Sequence, residues 1–278
     1  TATTKKSKSM AHNKDIIIEL KDHGFIPDTI VEGDHYVLGA YSKLGDSPVI
    51  NPSGDWSEHR PAPEHQNKNG VETMNCSNYG TYNALETLGV FHGFADFCRD
   101  FAERYSGVLT GTTRSGNSPH AVIEKIRTEI GGIPESMLPF DGSIDSWERY
   151  YSPNPMTDEL KALGAALLKR FKIGHEWIFL HMGTAAQKHA QLEVALTKGT
   201  VAVSVCAWKR DGALYFKDPT DNDNHWVQLL RRNPDGTWMV FDHYDAVIKN
   251  LRADYDFGFA KVYYLEAIPQ PDPSTPAP

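Results

Sequence analysis

Apolar positions along the chain change their period near its middle. Before about residue 171 they recur at helical spacing, and beyond Gly199 they fall into short runs separated by turns. The stretch CSNYGTYNALETL begins at Cys76, behind Asn75, a residue type favoured at helix N-caps. It carries Tyr79, Asn83, Leu85, Leu88 and Val90 at mixed helical spacing. Residues 94–105 and 119–129 predict further helices, the second opened by Ser118 and Pro119. An amphipathic helix is expected over 157–171, with Leu160, Leu163, Leu167 and Phe171 on one stripe, and another over 185–196. Residues 131–151 have no period and read as loop.

In the second half, 201–208, 214–217, 225–230, 237–241 and 258–265 are strand-like, divided by turns such as RDGA and NPDGT. Two earlier runs, DIIIEL at 15–20 and HYVLGA at 35–40, are also strand-like and predict a small accessory segment over 14–52. The proline-bearing stretch 49–66 predicts an extended surface loop leading into the Cys76 helix. Residues 1–13 and the proline-rich 269–278 are expected to be disordered, leaving 53–268 as the main domain. The expected fold class is therefore α+β, a helical first lobe facing a mainly antiparallel β second lobe across a cleft.

Charge narrows the partners. Asp and Glu number 36 against 28 Lys and Arg, for a formal charge of -8, and no basic stripe occurs, so nucleic acid is not an expected partner. No run of eighteen apolar residues and no secretory signal is present, so no membrane span is expected. The compartment stays open, and cytoplasmic and virion-associated settings both fit. Three cysteines are an odd count without a disulfide framework. Cys98, in FADFCRDFAERY, reads as a helix-core residue, and Cys206, in VAVSVCAW, as a buried strand residue.

Cys76 is different. A thiol in the first turn of a helix feels the positive end of the macrodipole, which favours thiolate, although a small buried apolar residue is the plainer alternative. His225 heads the strand-like HWVQLL, and Asp242 follows TWMVF. A hairpin through RRNPDGT would set the two side by side, with Asp242 accepting from the imidazole and fixing its tautomer. The plainer alternatives are a satisfied core or surface histidine and a turn-forming aspartate. His225 and His243 lack HxH or HExxH spacing, so no metal and no cofactor is expected.

The order Cys, then His about 150 residues later, then an orienting residue, falls within the ~130–150 residue spacing of papain-type partners. Here the sequence resembles the papain-like cysteine proteases, as a divergent member, from about Asp55 to Leu265. DWSEHRPAPEHQ resembles the run preceding that family's nucleophile, CSNYGTYNALETL its nucleophile helix, and GTVAVSV its Gly-Pro-Val-Ser-Val strand. HWVQLL is similar to its His-Ala-Val strand, and FDHY stands where the family writes Lys-Asn-Ser-Trp.

The resemblance implies Cys76 as nucleophile, His225 as general base and acid, and Asp242 as orienting residue. Gln66 would supply the side-chain donor of an oxyanion hole, with Glu72 or Asn75 as fallbacks because the loop to Cys76 is long for the family. Gly116, in RSGNSPHAV, would line the substrate cleft. Departures are Ser77 for the usual Trp, Asp242 for the common Asn, a neighbouring His243, and no propeptide of the usual length.

The implied activity is a thiol-dependent peptidase acting on a peptide or protein substrate through an acyl-enzyme. The alternatives are an inactive papain-fold module serving a larger bacterial or viral assembly, its partner unknown, and an acyl transferase or cell-wall amidase on the same triad.

Overall fold

The computed structural model describes residues 16–18, 23–28, 47–94, 100–151, 156–180, 183–244 and 247–269. The expected arm over 1–13, the strand over 35–40, nearly all of the tail and Cys98 lie outside them.

Helix α1 (Cys76–Phe91) is the centre of the molecule, and every residue from Cys76 to Gly89 is buried. A helix buried all round must satisfy its polar side chains inside the protein. Asn83 pairs with His243 at 2.6 Å, Thr87 donates to Gln228 at 3.2 Å, and Glu86 accepts the Phe101 N–H at 2.5 Å. Gly80 lets the helix sit directly on the sheet, because a Cβ there would lie 2.7 Å from the Trp226 ring. Against α1 pack α2 (Glu103–Leu109) and α3 (Pro119–Lys125); α4 (Trp147–Tyr151) lies on α2, and α5 (Asp158–Leu167) on the helical turn Ile126–Ile130 that follows α3. Ser118 caps α3 by accepting the Ala121 N–H at 3.1 Å.

The strands are β1 (Ile16–Ile18), β2 (Phe171–Leu180), β3 (Thr200–Val205), β4 (Lys209–Asp211), β5 (Leu214–Phe216), β6 (His225–Arg232), β7 (Trp238–Phe241), β8 (Ile248–Leu251) and β9 (Phe259–Ala267), with α6 (Ala185–Leu196) between β2 and β3. They make one sheet in the order β1-β4-β5-β8-β7-β6-β3-β9-β2. All pairs are antiparallel except β5 with β8. The fold is mixed helix and sheet, as the sequence pattern predicts. In the β6–β7 hairpin Gln228 faces Phe241, so His225 at the head of β6 and Asp242 just past β7 emerge at the same end of the sheet.

Some elements differ from the periodic reading. The helix expected over 157–171 ends at Leu167, and Phe171 opens β2, where Phe171, Ile173, Trp177 and Phe179 are buried at a period of two. Its inward stripe is Leu160, Gly164 and Leu167, while Leu163 is 42% exposed. Gly164 is required there, since a Cβ would lie 2.1 Å from the Tyr105 hydroxyl oxygen. The helix expected over 94–105 is α2, shifted toward the C-terminus, and α4 stands in the stretch read as loop. No helix of the described residues is long and apolar enough to cross a membrane.

Leu88 and Leu163 provide a contrast that tests this packing. Leu88→Ala, at a position with no exposed surface, should cost about 2–5 kcal/mol, read as a lower urea midpoint at unchanged slope. Leu163→Ala should stay within about 0.5 kcal/mol.

Candidate active site

His225 and Asp242 meet. The carboxylate Oδ1 accepts from His225 Nε2 at 2.6 Å, and both side chains are fully buried. Because Nε2 carries the proton in that bond, the neutral ring presents a bare lone pair at Nδ1, which has no hydrogen-bond partner. The Asp242 carboxylate is held by more than the histidine. Its Oδ2 accepts from Lys249 Nζ at 2.6 Å and from Trp208 Nε1 at 3.0 Å, and Oδ1 also takes the His243 N–H at 2.7 Å. Burial works against this carboxylate, but its interactions with His225 and Lys249 outweigh it and hold its pKa far below the usual range. Burial dominates at His225, so its pKa is lowered despite the attraction of Asp242, with the nearby Lys249 ammonium pushing the same way.

His243 faces elsewhere. Its Nε2 meets Asn83, its ring lies 4.7 Å from Tyr79, and burial takes its pKa down to about 3. Of the two neighbours in FDHY, only Asp242 joins the His225 ring.

Cys76 opens α1 and has no exposed surface. Asn75 stands at the N-cap, but its side chain makes no capping bond and is taken up by Glu103 O at 2.9 Å and Asn78 at 2.7 Å. The Cys76 thiol receives the backbone N–H of Trp226, the residue after His225, which places the sulfur against the head of β6. No hydrogen bond joins it to the imidazole.

The dipole was expected to favour thiolate; burial overrides it. Burial pushes the thiol well above its ordinary range, and the nearby carboxylates of Glu72 and Asp242 add to the shift, against the Trp226 N–H and the Ser77 hydroxyl. The magnitudes agree with that outcome. A helix terminus contributes about 0.3–1 kcal/mol, whereas full burial shifts a pKa by up to about 3–5 units, each about 1.4 kcal/mol.

Gln66 is buried near the same end. Its Nε2 shares its hydrogens among Tyr244 Oη at 2.9 Å, Glu72 Oε1 at 3.1 Å and the backbone carbonyl of His23 at 3.1 Å. Glu72 is unsuited to an oxyanion role. Burial would raise its pKa, but the hydrogen bonds from His23, Tyr244, Met74 and Gln66 prevail and keep it low, so it is an acceptor. The Asn75 amide donates to Glu103 O at 2.9 Å and to Tyr150 Oη at 3.2 Å, so both it and the Gln66 amide are taken up by acceptors within the protein. Gly116 has φ +95° and lies against backbone, for a Cβ there would fall 1.8 Å from Gly24 O. Ser77 ties the first turn of α1 to that wall, donating to Asn117 O at 2.7 Å.

Trp208, Lys249, Tyr244 and His23 were not foreseen. Lys249 left one trace in the sequence: in the alternation of β8 it shares the buried side with Leu251. Trp208 and His23 left none, because both reach the site through long-range packing.

Away from this site, His120, Glu124 and His175 form a group whose ligand-type atoms lie within 4.8 Å of one another. A cation already adjoins them, since Lys261 Nζ is 3.3 Å from His120 Nδ1 and 3.0 Å from His175 Nδ1. Glu124 is also bonded twice by Arg127, at 2.7 and 2.6 Å.

No family model matches the sequence, and neither does any curated protein. Solved structures do match. The chain is similar to a digestive procathepsin L2 proteinase from the larval midgut of Tenebrio molitor, at 16% identity and a TM-score of 0.59 over 87% of this chain and 78% of that one. It is similar to the bromelain protease of Ananas comosus, solved with the E64 inhibitor, at 14% identity and 0.54 over 76% and 98%. A third is the cysteine protease and lectin-like domains of Cwp84, a surface-layer-associated protein of Clostridium difficile, at 12% identity and 0.53 over 90% and 57%. At such identities the likeness is one of fold, and the fold is that of the papain-like cysteine proteases.

Lys249→Met should expose the electrostatics of the pair. Removing one partner of a buried ion pair should cost on the order of 3–5 kcal/mol in urea unfolding at pH 7. Asp242 has a depressed folded-state pKa, so its stabilisation is present above the ordinary value of 3.8 and is lost as pH falls; the variant should show a weaker acid dependence. With the Lys249 repulsion gone, the His225 ring should titrate at higher pH by NMR. Unchanged stability together with an unchanged His225 titration would contradict the arrangement.

Proposed function

We propose that the chain is a thiol-dependent peptidase in which Cys76, His225 and Asp242 act together on a peptide or protein substrate. The supporting observation is the buried His225–Asp242 pair, its second ring nitrogen unpartnered, with the Cys76 thiol against the backbone of the next residue.

His225 Nδ1 takes the proton from Cys76 Sγ while the sulfur bonds to the scissile carbonyl carbon. The negative charge moves to the carbonyl oxygen, where the Cys76 backbone N–H and Gln66 Nε2 are the candidate donors. His225 passes its proton to the leaving amine, and the C–N bond breaks to give the acyl-enzyme. Water then attacks, losing its proton to His225, and the acid product leaves as that proton returns to Cys76. Asp242 keeps the ring in the tautomer with Nε2 protonated and stabilises the imidazolium. Lys249 and Trp208 keep Asp242 in place.

A second reading has an observation of its own. The thiol is buried and unionised with residues 23–28 over the site, as in a module that binds without turnover. Catalysis separates the two readings.

Cys76→Ala and His225→Ala should each abolish cleavage of a mixed peptide library, while Cys206→Ala should leave it intact. Gln66→Ala should lower kcat by about 100-fold or more with little change in KM. Full activity in Cys76→Ala would end the proposal.

The pH profile of kcat/KM should be bell-shaped. Its acid limb should fall below the ordinary imidazole value of 6.5, because burial depresses His225, and its alkaline limb above 9.0, because burial raises Cys76. A rate that only begins to rise near the free-thiol value of about 8.5 would mean that His225 does not activate the sulfur.

A further inference from the structure

Among the described residues the Gln66 amide is held through its nitrogen alone. Its Oε1 is buried with no hydrogen-bond partner, whereas Nε2 meets Tyr244 Oη at 2.9 Å, Glu72 Oε1 at 3.1 Å and the His23 carbonyl at 3.1 Å. The two ends of an amide have nearly the same shape, so the groups around the nitrogen decide which end points which way. An ionised carboxylate only accepts, and Glu72 therefore selects the NH2 end. The Tyr244 hydroxyl gives its own hydrogen to Glu72 Oε2, which leaves a lone pair turned toward the same nitrogen.

Glu72 also shapes the approach to the nucleophile. Its Oε1 accepts the Met74 N–H at 3.0 Å. Met74 takes φ +54°, a conformation that L side chains rarely adopt and that persists only where neighbours enforce it. The backbone at Gln66 is pinned separately. Its N–H donates to His243 O at 3.3 Å, and its carbonyl accepts from the Thr73 hydroxyl at 2.9 Å, which closes the long loop at its base. One carboxylate thus ties the Gln66 side chain to Tyr244, beyond β7, and to the turn ahead of α1.

We propose that Glu72 is a positioning residue for the thiol site: it sets the Gln66 amide with its NH2 group toward the reacting carbonyl, and so makes a side chain across the long loop usable as an oxyanion donor. The catalytic consequence rests on the peptidase proposal, but the hold on the amide can be observed without turnover. An amide nitrogen carries two hydrogens, so one can stay with the Glu72–Tyr244 pair while the other serves a backbone carbonyl, as the contact with His23 O illustrates. The same charge acts on the sulfur. Glu72 faces His23, Tyr151, Tyr244 and the Cys76 thiol, and its anionic form opposes ionisation of that thiol. Asp242, the other carboxylate near the sulfur, stays in place in every variant below.

Glu72→Ala should lower kcat by about 100-fold, as loss of the oxyanion donor itself would, with little change in KM. Glu72→Gln keeps an acceptor oxygen and should recover most of that loss. Tyr244→Phe removes the other side-chain acceptor without touching the loop and should lower kcat in the same direction. Because Glu72 acts through Gln66, the double variant Glu72→Ala/Gln66→Ala should be no more than about 3-fold slower than Gln66→Ala. Both changes at residue 72 should also move the pH dependence of iodoacetamide labelling of Cys76 to lower pH, since a carboxylate facing the thiol is gone. In 15N-edited NMR spectra the Gln66 side-chain amide signals, assigned by their loss in Gln66→Ala, should exchange with solvent faster in Glu72→Ala than in wild type. An unchanged kcat in Glu72→Ala or in Tyr244→Phe would overturn the role of Glu72 and leave the peptidase proposal standing. So would a double variant slower than Gln66→Ala by the full factor of Glu72→Ala. Faster amide exchange in Glu72→Ala, with no peptide cleaved by wild type, would keep the placement of the amide and remove the peptidase proposal.

Discussion

A carboxylate with no access to water governs how the second half of this chain can be arranged. Burying an ionised group without compensation costs several kcal/mol, so Asp242 constrains whatever surrounds it. Its donors come from separate places: His225 from β6, Lys249 from β8, and Trp208 from the segment after β3. They converge only if β6, β7 and β8 pair in the observed register, since a slip of one residue would turn Lys249 or His225 to the other face. Lys249 is fixed in turn by the Tyr244 carbonyl at 2.6 Å and by the Trp208 ring at 5.1 Å. The site and the sheet thus specify each other, and neither can be altered alone.

The same exclusion of water has an opposite effect on the sulfur. Asp242 tolerates burial because cations and N–H groups surround it, whereas Cys76 has two carboxylates nearby and only weak donors, so burial favours its protonated form. Loss of solvation thus holds the thiol in its protonated form. Glu72 links the two effects. It is held anionic by His23, Tyr244, the Met74 N–H and Gln66, and its charge adds to the penalty on a thiolate. His23 joins this network at two points, its ring 3.5 Å from the Glu72 carboxylate and its carbonyl accepting from Gln66 Nε2 at 3.1 Å.

Local sequence disclosed the hairpin well and the sulfur's condition poorly, for a physical reason. The turn after Arg232 is encoded by its own residues: Asn233 N–H bonds Thr237 O at 2.8 Å, and Gly236 takes φ +87°, so the meeting of His225 and Asp242 follows from a few adjacent positions. Strand β2 was obscured because its alternation is interrupted by Gly174, His175 and Glu176 and it follows α5 without a breaker. Strand β4 is too short to show a period. Whether Asp242 or His243 faces the ring is decided by Asn83 on α1, far along the chain. The full burial of Cys76 comes from long-range packing, and nothing in the residues around it announces that burial.

The aspartate in place of the family's usual asparagine also acquires a meaning that sequence alone could not supply. An isolated anion would raise the imidazolium pKa strongly and bias the ring toward the charged form. Here Lys249 lies 2.6 Å from the opposite carboxylate oxygen, and its charge pushes His225 the other way. Asp242 and Lys249 together carry no net charge, as an amide would, yet the carboxylate accepts from Nε2 more strongly than an amide oxygen can. Orientation of the ring is thereby separated from its charge. The imidazole is held in one tautomer by a strong hydrogen bond, while its protonation remains free to follow the sulfur, with which it would form a pair of zero net charge.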